Sequence, residues 1–127
     1  MKLRIKGDSI RMRLTRGEVR QLLESGRVAD GTHFPDGEGL RYELIADAAA
    51  TRIDARCAAC AVVVMVPKAV LDKWASSEEV AVRAEIALGA GRGALLILVE
   101  KDFPCLAKRP DEDDSDAFAR AALRVGR

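Results

Sequence analysis

The sequence predicts an α+β, mainly β fold: a single barrel-like domain over residues 1–102, built from a duplicated ββαββ unit with two short helices, and an acidic C-terminal extension over residues 103–127. Three observations lead there. Apolar and polar residues alternate through much of residues 1–100, the period of a half-buried strand. Two short stretches, after Thr15 and after Pro67, switch to helical spacing. A shift of 52 residues lays one half on the other, with Ile10 on Val62, Met12 on Val64, Leu14 on Val66, Val19 on Leu71, Leu22 on Trp74 and Val28 on Val80.

Leu3 and Ile5 alternate with Lys2, Arg4 and Lys6, and Ile10, Met12 and Leu14 alternate with Arg11 and Arg13. With Gly7-Asp8-Ser9 between them, these runs predict a β-hairpin with one apolar and one basic face. Thr15 followed by Glu18 is a capping box, in which hydroxyl and carboxylate satisfy orphaned backbone donors, so a helix is expected over residues 16–24. Val19, Leu22 and Leu23 form its apolar stripe, and Gly26 stands where a left-handed terminator is wanted. Strands over residues 28–34 and 40–45 follow, joined by Pro35-Asp36-Gly37-Glu38-Gly39.

The second half repeats this order. Residues 51–57 and 60–66 read as a hairpin, Pro67 fits the first helical position, and Val70, Leu71 and Trp74 make the stripe. Val80, Val82, Ala84, Ile86 and Leu88 alternate, Gly89 to Gly93 turn the chain, and residues 94–99 form a short buried strand. A hairpin with one short helix cannot bury its apolar face alone, whereas two copies can close on each other and remove exposed sheet edges.

The stretch VVVMVPKAVLDKWASSEEVAVRAEI resembles the AbrB-like swapped-hairpin families: a strand ending in Val-Pro, a basic residue, a short helix with Leu71 and Trp74, then an alternating strand. The first half fits the same outline. Ser76-Ser77-Glu78-Glu79 stands where those families commonly carry a Gly-Asp turn. The resemblance implies two interlaced halves in a small barrel that binds DNA through basic residues. The whole chain is also similar to an uncharacterised bacterial family of unknown function. MKLRIKGDSIRMRLTRGEV, VPKAVLDKWA, LILVEKDFPCL and RPDEDDSDAF carry that likeness. It implies no activity, and it implies that the acidic tail belongs to the protein.

Composition narrows the classes. The longest apolar run, residues 57–66, is about half of the roughly 20 residues a spanning helix needs, so no membrane association is expected. The basic start lacks the apolar stretch and cleavage site of a secretory signal. Three cysteines, Cys57, Cys60 and Cys105, are too sparse for a secreted disulfide scaffold. A cytoplasmic location is expected.

Charge supplies the leading candidate site. Within a chain of net charge +1, the first 20 residues carry seven cations against Asp8 and Glu18. Lys2, Arg4, Lys6, Arg11 and Arg13 project to one side of a two-stranded ribbon, a shape that fits a major groove and neutralises phosphates. Near-absence of aromatic residues disfavours base stacking. At the other end, Asp111, Glu112, Asp113, Asp114 and Asp116 form a self-repelling stretch that could lie on the ribbon or stay solvated.

The remaining chemistry is sparse. Cys57-Ala58-Ala59-Cys60 lacks the second pair of a zinc site and is followed by a strand rather than a redox helix, so it reads as two buried small residues. Were Ala58-Ala59 a two-residue turn, the two thiols would oppose each other. Cys105 is the candidate reactive thiol, but His33, the one histidine, cannot be paired with it from sequence. Phe103 and Leu106 are expected to pin the tail to the domain. The glycines at 89–93 lie between strands, unlike a phosphate loop that opens a helix.

No catalytic set, metal site or cofactor motif emerges. The expected function is a non-enzymatic binding or interaction module with an unknown protein partner. The alternative is an AbrB-like nucleic-acid-binding regulator using the basic hairpin. Whether the protein is a monomer or a dimer stays open.

Overall fold

A computed structural model describes residues 1–103 and 116–118. The chain runs β1 (Lys2–Ile5), β2 (Ser9–Leu14), α1 (Arg16–Ser25), β3 (Arg27–His33), β4 (Gly39–Asp47), β5 (Asp54–Ala58), β6 (Ala61–Pro67), α2 (Lys68–Ser76), β7 (Ala81–Ala87) and β8 (Ala94–Lys101). The mainly β class and the two short helices follow the sequence. Both helices are far too short to cross a membrane, and no other helix of the described residues does so.

The strands form two four-stranded sheets, ordered β1-β2-β8-β7 and β3-β4-β6-β5. In each, two antiparallel hairpins meet through a central parallel pair, β2 with β8 and β4 with β6. The first hairpin of one half therefore lies beside the last hairpin of the other. Adding or subtracting four from each strand number turns one sheet order into the other.

Register follows the same exchange. Met12 pairs with Val99 and Val64 with Leu44, while Leu3 pairs with Met12 and Ala55 with Val64. Val28 opposes Leu44 and Val82 opposes Val99. Position 82, not Val80, thus matches Val28, because two extra residues precede β7.

The expected closed barrel is not formed. No ladder joins β1 to β3 or β5 to β7 among the described residues. Side chains make the first seam instead: Tyr42 Oη donates to the Met1 carbonyl at 3.3 Å, and the N-terminal ammonium pairs with Glu18 and Asp30. Burial raises the Tyr42 pKa, helped by the nearby charges of Asp30 and Glu18.

One core fills the space between sheets and helices. Met12, Leu14, Leu44, Val64, Val66, Ile97 and Val99 point inward from the strands, and Leu22, Leu71 and Trp74 from the helices, each at 0–1% exposure. Each large side chain so buried contributes about 1.5–3 kcal/mol from water exclusion. Trp74 satisfies its indole N–H by donating to the Val80 carbonyl at 3.2 Å.

The capping box at Thr15 forms as expected. Glu18 N donates to Thr15 Oγ1 at 3.3 Å and Thr15 N to Glu18 Oε1 at 3.0 Å. Gly26 ends α1 with φ 78° and donates its N–H to the Leu22 carbonyl. At the second helix the expectation shifts by one residue: Pro67 closes β6 and caps α2, which starts at Lys68. A residue without a backbone donor suits both places.

Past β8 the chain packs back on the domain. Phe103 and Phe118 pack in a tilted pair, 5.9 Å between ring centroids, and Phe118 N donates to the Asp102 carbonyl. Asp116 takes the N-terminus of α1, accepting from Arg16 N at 3.1 Å through its carbonyl and from Gly17 N at 3.2 Å through Oδ2. This member of the acidic run therefore meets a helix end rather than the basic hairpin. Leu106, Cys105 and the run from Asp111 to Asp114 lie outside the described residues.

Candidate functional site

The register of β1 with β2 places Lys2 opposite Arg13 and Arg4 opposite Arg11, so these four cations share the outer face of the first sheet. Lys6 extends the row at the turn. Like charges directly opposite in a ladder repel, and β8 answers part of that repulsion. Its Glu100, paired in register with Arg13, takes Arg11 Nε at 3.0 Å and Arg13 Nε at 3.5 Å. Asp102 takes Lys2 Nζ at 3.3 Å. Arg4 and Lys6 make no ion pair among the described residues.

These counter-ions change the sequence picture in two ways. The basic hairpin is no free ribbon: β2 is an interior strand, hydrogen-bonded to β8 on its other side, so the pair cannot enter a major groove alone. Its unbalanced charge also shrinks toward Arg4, Lys6 and the shared Arg11. There the sheet carries a hollow of about 220 Å³ lined by Arg4, Lys6, Ser9, Ile10, Arg11, Leu96 and Leu98. A smaller one of about 170 Å³ adjoins it among Lys2, Leu3, Arg4, Arg11 and Arg13. Leu96 and Leu98 give the face an apolar floor. Arg83, opposite Leu98 on β7, adds a cation held by Glu85 at 3.1 Å.

Sequence reasoning found the five basic residues and missed Glu100, Asp102 and the leucine floor. Their contribution depends on the parallel β2–β8 pairing, which joins residues almost 90 positions apart (Arg13 and Glu100). A carboxylate at the end of an otherwise apolar strand was the available hint.

At the near end of this face lies a buried ionic group. Lys101 and Asp102 are 5% and 3% exposed. Lys101 Nζ donates to the Ser77 carbonyl at 2.6 Å and sits 5.6 Å from the rings of both Trp74 and Phe118. Burial pulls the Lys101 pKa below its ordinary value, against the raising effect of Glu79 and Glu78. Asp102 Oδ1 has no hydrogen-bond partner among the described residues.

The cysteine expectation is corrected. Cys57 and Cys60 are both exposed. The β5–β6 ladder pairs Ala58 with Ala61, so the turn residues are Ala59 and Cys60, not Ala58 and Ala59. Cys57 consequently faces Val62, and the two thiols do not oppose each other. His33 ends β3 and lines a hollow with Cys60. The glycines at 89–93 form the expected hairpin turn, closed by Leu88 N donating to the Gly93 carbonyl at 2.9 Å. Among the described residues no three His, Cys, Asp or Glu side chains gather as a metal site.

No curated protein and no solved structure matches this chain. A model of a family of unknown function, DUF7009, matches residues 1–122 and so takes in the acidic run along with both sheets. The chain therefore belongs to the DUF7009 family.

Proposed function

We propose that this protein is a non-enzymatic binding module, and that the outer face of the β1-β2-β8-β7 sheet receives an acidic segment of a protein partner. The observation that carries this reading is the hollow in which Arg4, Lys6 and Arg11 surround Leu96 and Leu98. Cations around an apolar floor suit a carboxylate-bearing peptide with an apolar side chain, since burial and ion pairing then act together. A phosphate lattice would use the cations and leave the leucines uncovered.

The nucleic-acid reading keeps one specific support: Lys2, Arg4, Arg11 and Arg13 do share a face. The experiment titrates the full chain with Asp/Glu-rich peptides containing a central Leu or Phe, and with mixed-sequence duplex DNA, at low and physiological salt. The expected result is peptide binding that survives physiological salt and is lost in the Arg4→Glu, Lys6→Glu double variant. DNA binding with a steep salt slope, lost in the same variant, would transfer the site to nucleic acid. Binding to neither would refute the reading.

We infer further that the two halves are copies of one ββαββ unit. Support comes from the exchange of strand numbers between sheets and from equivalent core positions, such as Leu14 with Val66 and Leu22 with Trp74. The outer faces differ despite this. Arg11 and Arg13 of the first sheet correspond to Val63 and Met65 of the second, so these two central cations have no counterpart there.

A further inference from the structure

A further hollow lies on the other sheet and belongs to none of the sites above. It measures about 460 Å³ and opens where the β3–β4 hairpin meets the β5–β6 turn. Its volume falls in the range of small-molecule sites, about 300–1,000 Å³.

The ladder explains why a hollow forms there. Gly31 opposes Arg41, His33 opposes Gly39, and Ala29 opposes Glu43, so each of three successive cross-strand pairs has a glycine or alanine as one member. Without side chains the sheet face stays low. The glycines are held in place by the backbone, because a Cβ on Gly31 would stand 3.1 Å from the Leu40 carbonyl oxygen and one on Gly39 3.3 Å from that of Thr32. Glycine inside a strand commonly marks close approach of a ligand or another backbone.

Three different elements bring chemistry to this floor: His33 from β3, Arg41 from β4 and Cys60 from the β5–β6 turn. Asp30 also lines the hollow, with its carboxylate engaged by the N-terminal ammonium at 3.4 Å and by Gly31 N at 2.8 Å. Arg41 is tethered through Nε, 3.3 Å from Glu43 Oε2, and its side chain is 56% exposed. Glu43 is itself buried and also holds Arg27 Nε at 2.7 Å. A guanidinium fixed at its inner nitrogen is pre-oriented, which reduces the ordering cost of binding an oxyanion. Arg41 N donates to the Cys60 carbonyl at 2.9 Å, which joins the backbone of β4 to the thiol-bearing turn.

We propose that this hollow binds a small organic oxyanion, with its carboxylate or phosphate against Arg41 and His33 and its carbon skeleton over Gly31, Gly39 and Ala29. The site is independent of the acidic-peptide face, which lies on the other sheet.

Cys60 provides the readout, because a ligand on this floor shields a thiol at its edge while Cys57 lines a different cleft. The full chain is alkylated with iodoacetamide, and labelling of each cysteine is followed by peptide mass spectrometry. The probes are benzoate and phenyl phosphate, with chloride at matched ionic strength as control. The expected result is a saturable, several-fold slowing of Cys60 labelling by at least one probe, with Cys57 unchanged. Preference between the two distinguishes carboxylate from phosphate.

The Arg41→Gln and His33→Gln variants should each lose this protection. Glu43 keeps Arg27 in the first, and the second changes an exposed side chain, so a circular dichroism spectrum like that of the parent is expected in both. Unchanged Cys60 labelling with both probes overturns the proposal. So does equal slowing at Cys57, or protection that survives both substitutions.

Discussion

Lys101 Nζ lies 5.6 Å from the centroid of the Trp74 ring, so the cation at the end of β8 rests on the largest side chain in the core. The contact ties the second helix to the first sheet. It also makes stability depend on pH in a direction that can be worked out. Burial lowers the Lys101 pKa in the folded state below its ordinary 10.5. Between the folded and unfolded pKa values the unfolded chain holds more protons, so stability rises with pH through that window and is flat below it. Urea unfolding across the alkaline range should therefore favour the wild type progressively over Lys101→Met as pH approaches 10.5. A constant difference between the two proteins would mean that Lys101 is not desolvated.

Asp116 acts in the same direction, at the acid end of the scale. Its carboxyl pKa is lowered by the Thr15 hydroxyl first, then by the Gly17 N–H and the Arg16 and Arg20 charges. A depressed folded pKa gives stability that is present above the ordinary carboxylate range and lost as pH falls through the folded value. Asp116→Asn should lower the thermal midpoint at neutral pH and match the wild type in strong acid. A shift of equal size at both pH values would assign the effect to the amide itself.

Much of the architecture was legible in the sequence. The Lys2–Ile5 and Ser9–Leu14 strands, the Thr15–Glu18 box and the Gly26 terminator are local features, and local rules found them. What stayed hidden is set by contacts between distant segments. Glu100 could not be assigned to Arg11 and Arg13 without the parallel pairing of β2 with β8. The hollow at His33, Arg41 and Cys60 arises from three separate strands or turns, each unremarkable alone. Cys60 was misplaced because its turn uses Ala and Cys, which carry no turn preference to read.

The interlaced topology predicts that the halves need each other. β2 completes its sheet only with β8, and β6 only with β4. Residues 1–50 and 51–127, cut in the exposed loop near Ala49, should each be unfolded alone and should reassemble as a one-to-one complex when mixed. Far-ultraviolet circular dichroism and gel filtration of the separate and mixed fragments check this. A folded single half would show that the hairpins can pair within one unit.

Leu44 and Val99 occupy matching places opposite Val28 and Val82, and both are fully buried. Leu44→Ala should cost about 2–5 kcal/mol, through lost burial and the cavity left behind. Val99→Ala removes fewer methyl groups from the matching place and should cost less. Denaturant midpoints give both values, and a cost below about 1 kcal/mol for Leu44→Ala would place that residue outside a tightly packed core.

The β5–β6 turn should yield to redesign. Ala59 and Cys60 adopt φ values of 49° and 60°, the left-handed region at both central positions of a two-residue hairpin. That geometry is favoured by Asn-Gly and strained for Ala-Cys, at about 1–2 kcal/mol for each residue with an unfavourable Cβ. Part of this relief is offset by the greater freedom glycine has in the unfolded chain. The Ala59→Asn, Cys60→Gly double variant should therefore be more stable than the wild type by about 1 kcal/mol. The measurement is the urea midpoint at unchanged denaturant slope, which separates a stability gain from a change in the unfolded state. A loss of stability would show that the Ala-Cys pair makes contacts worth more than the strain it carries.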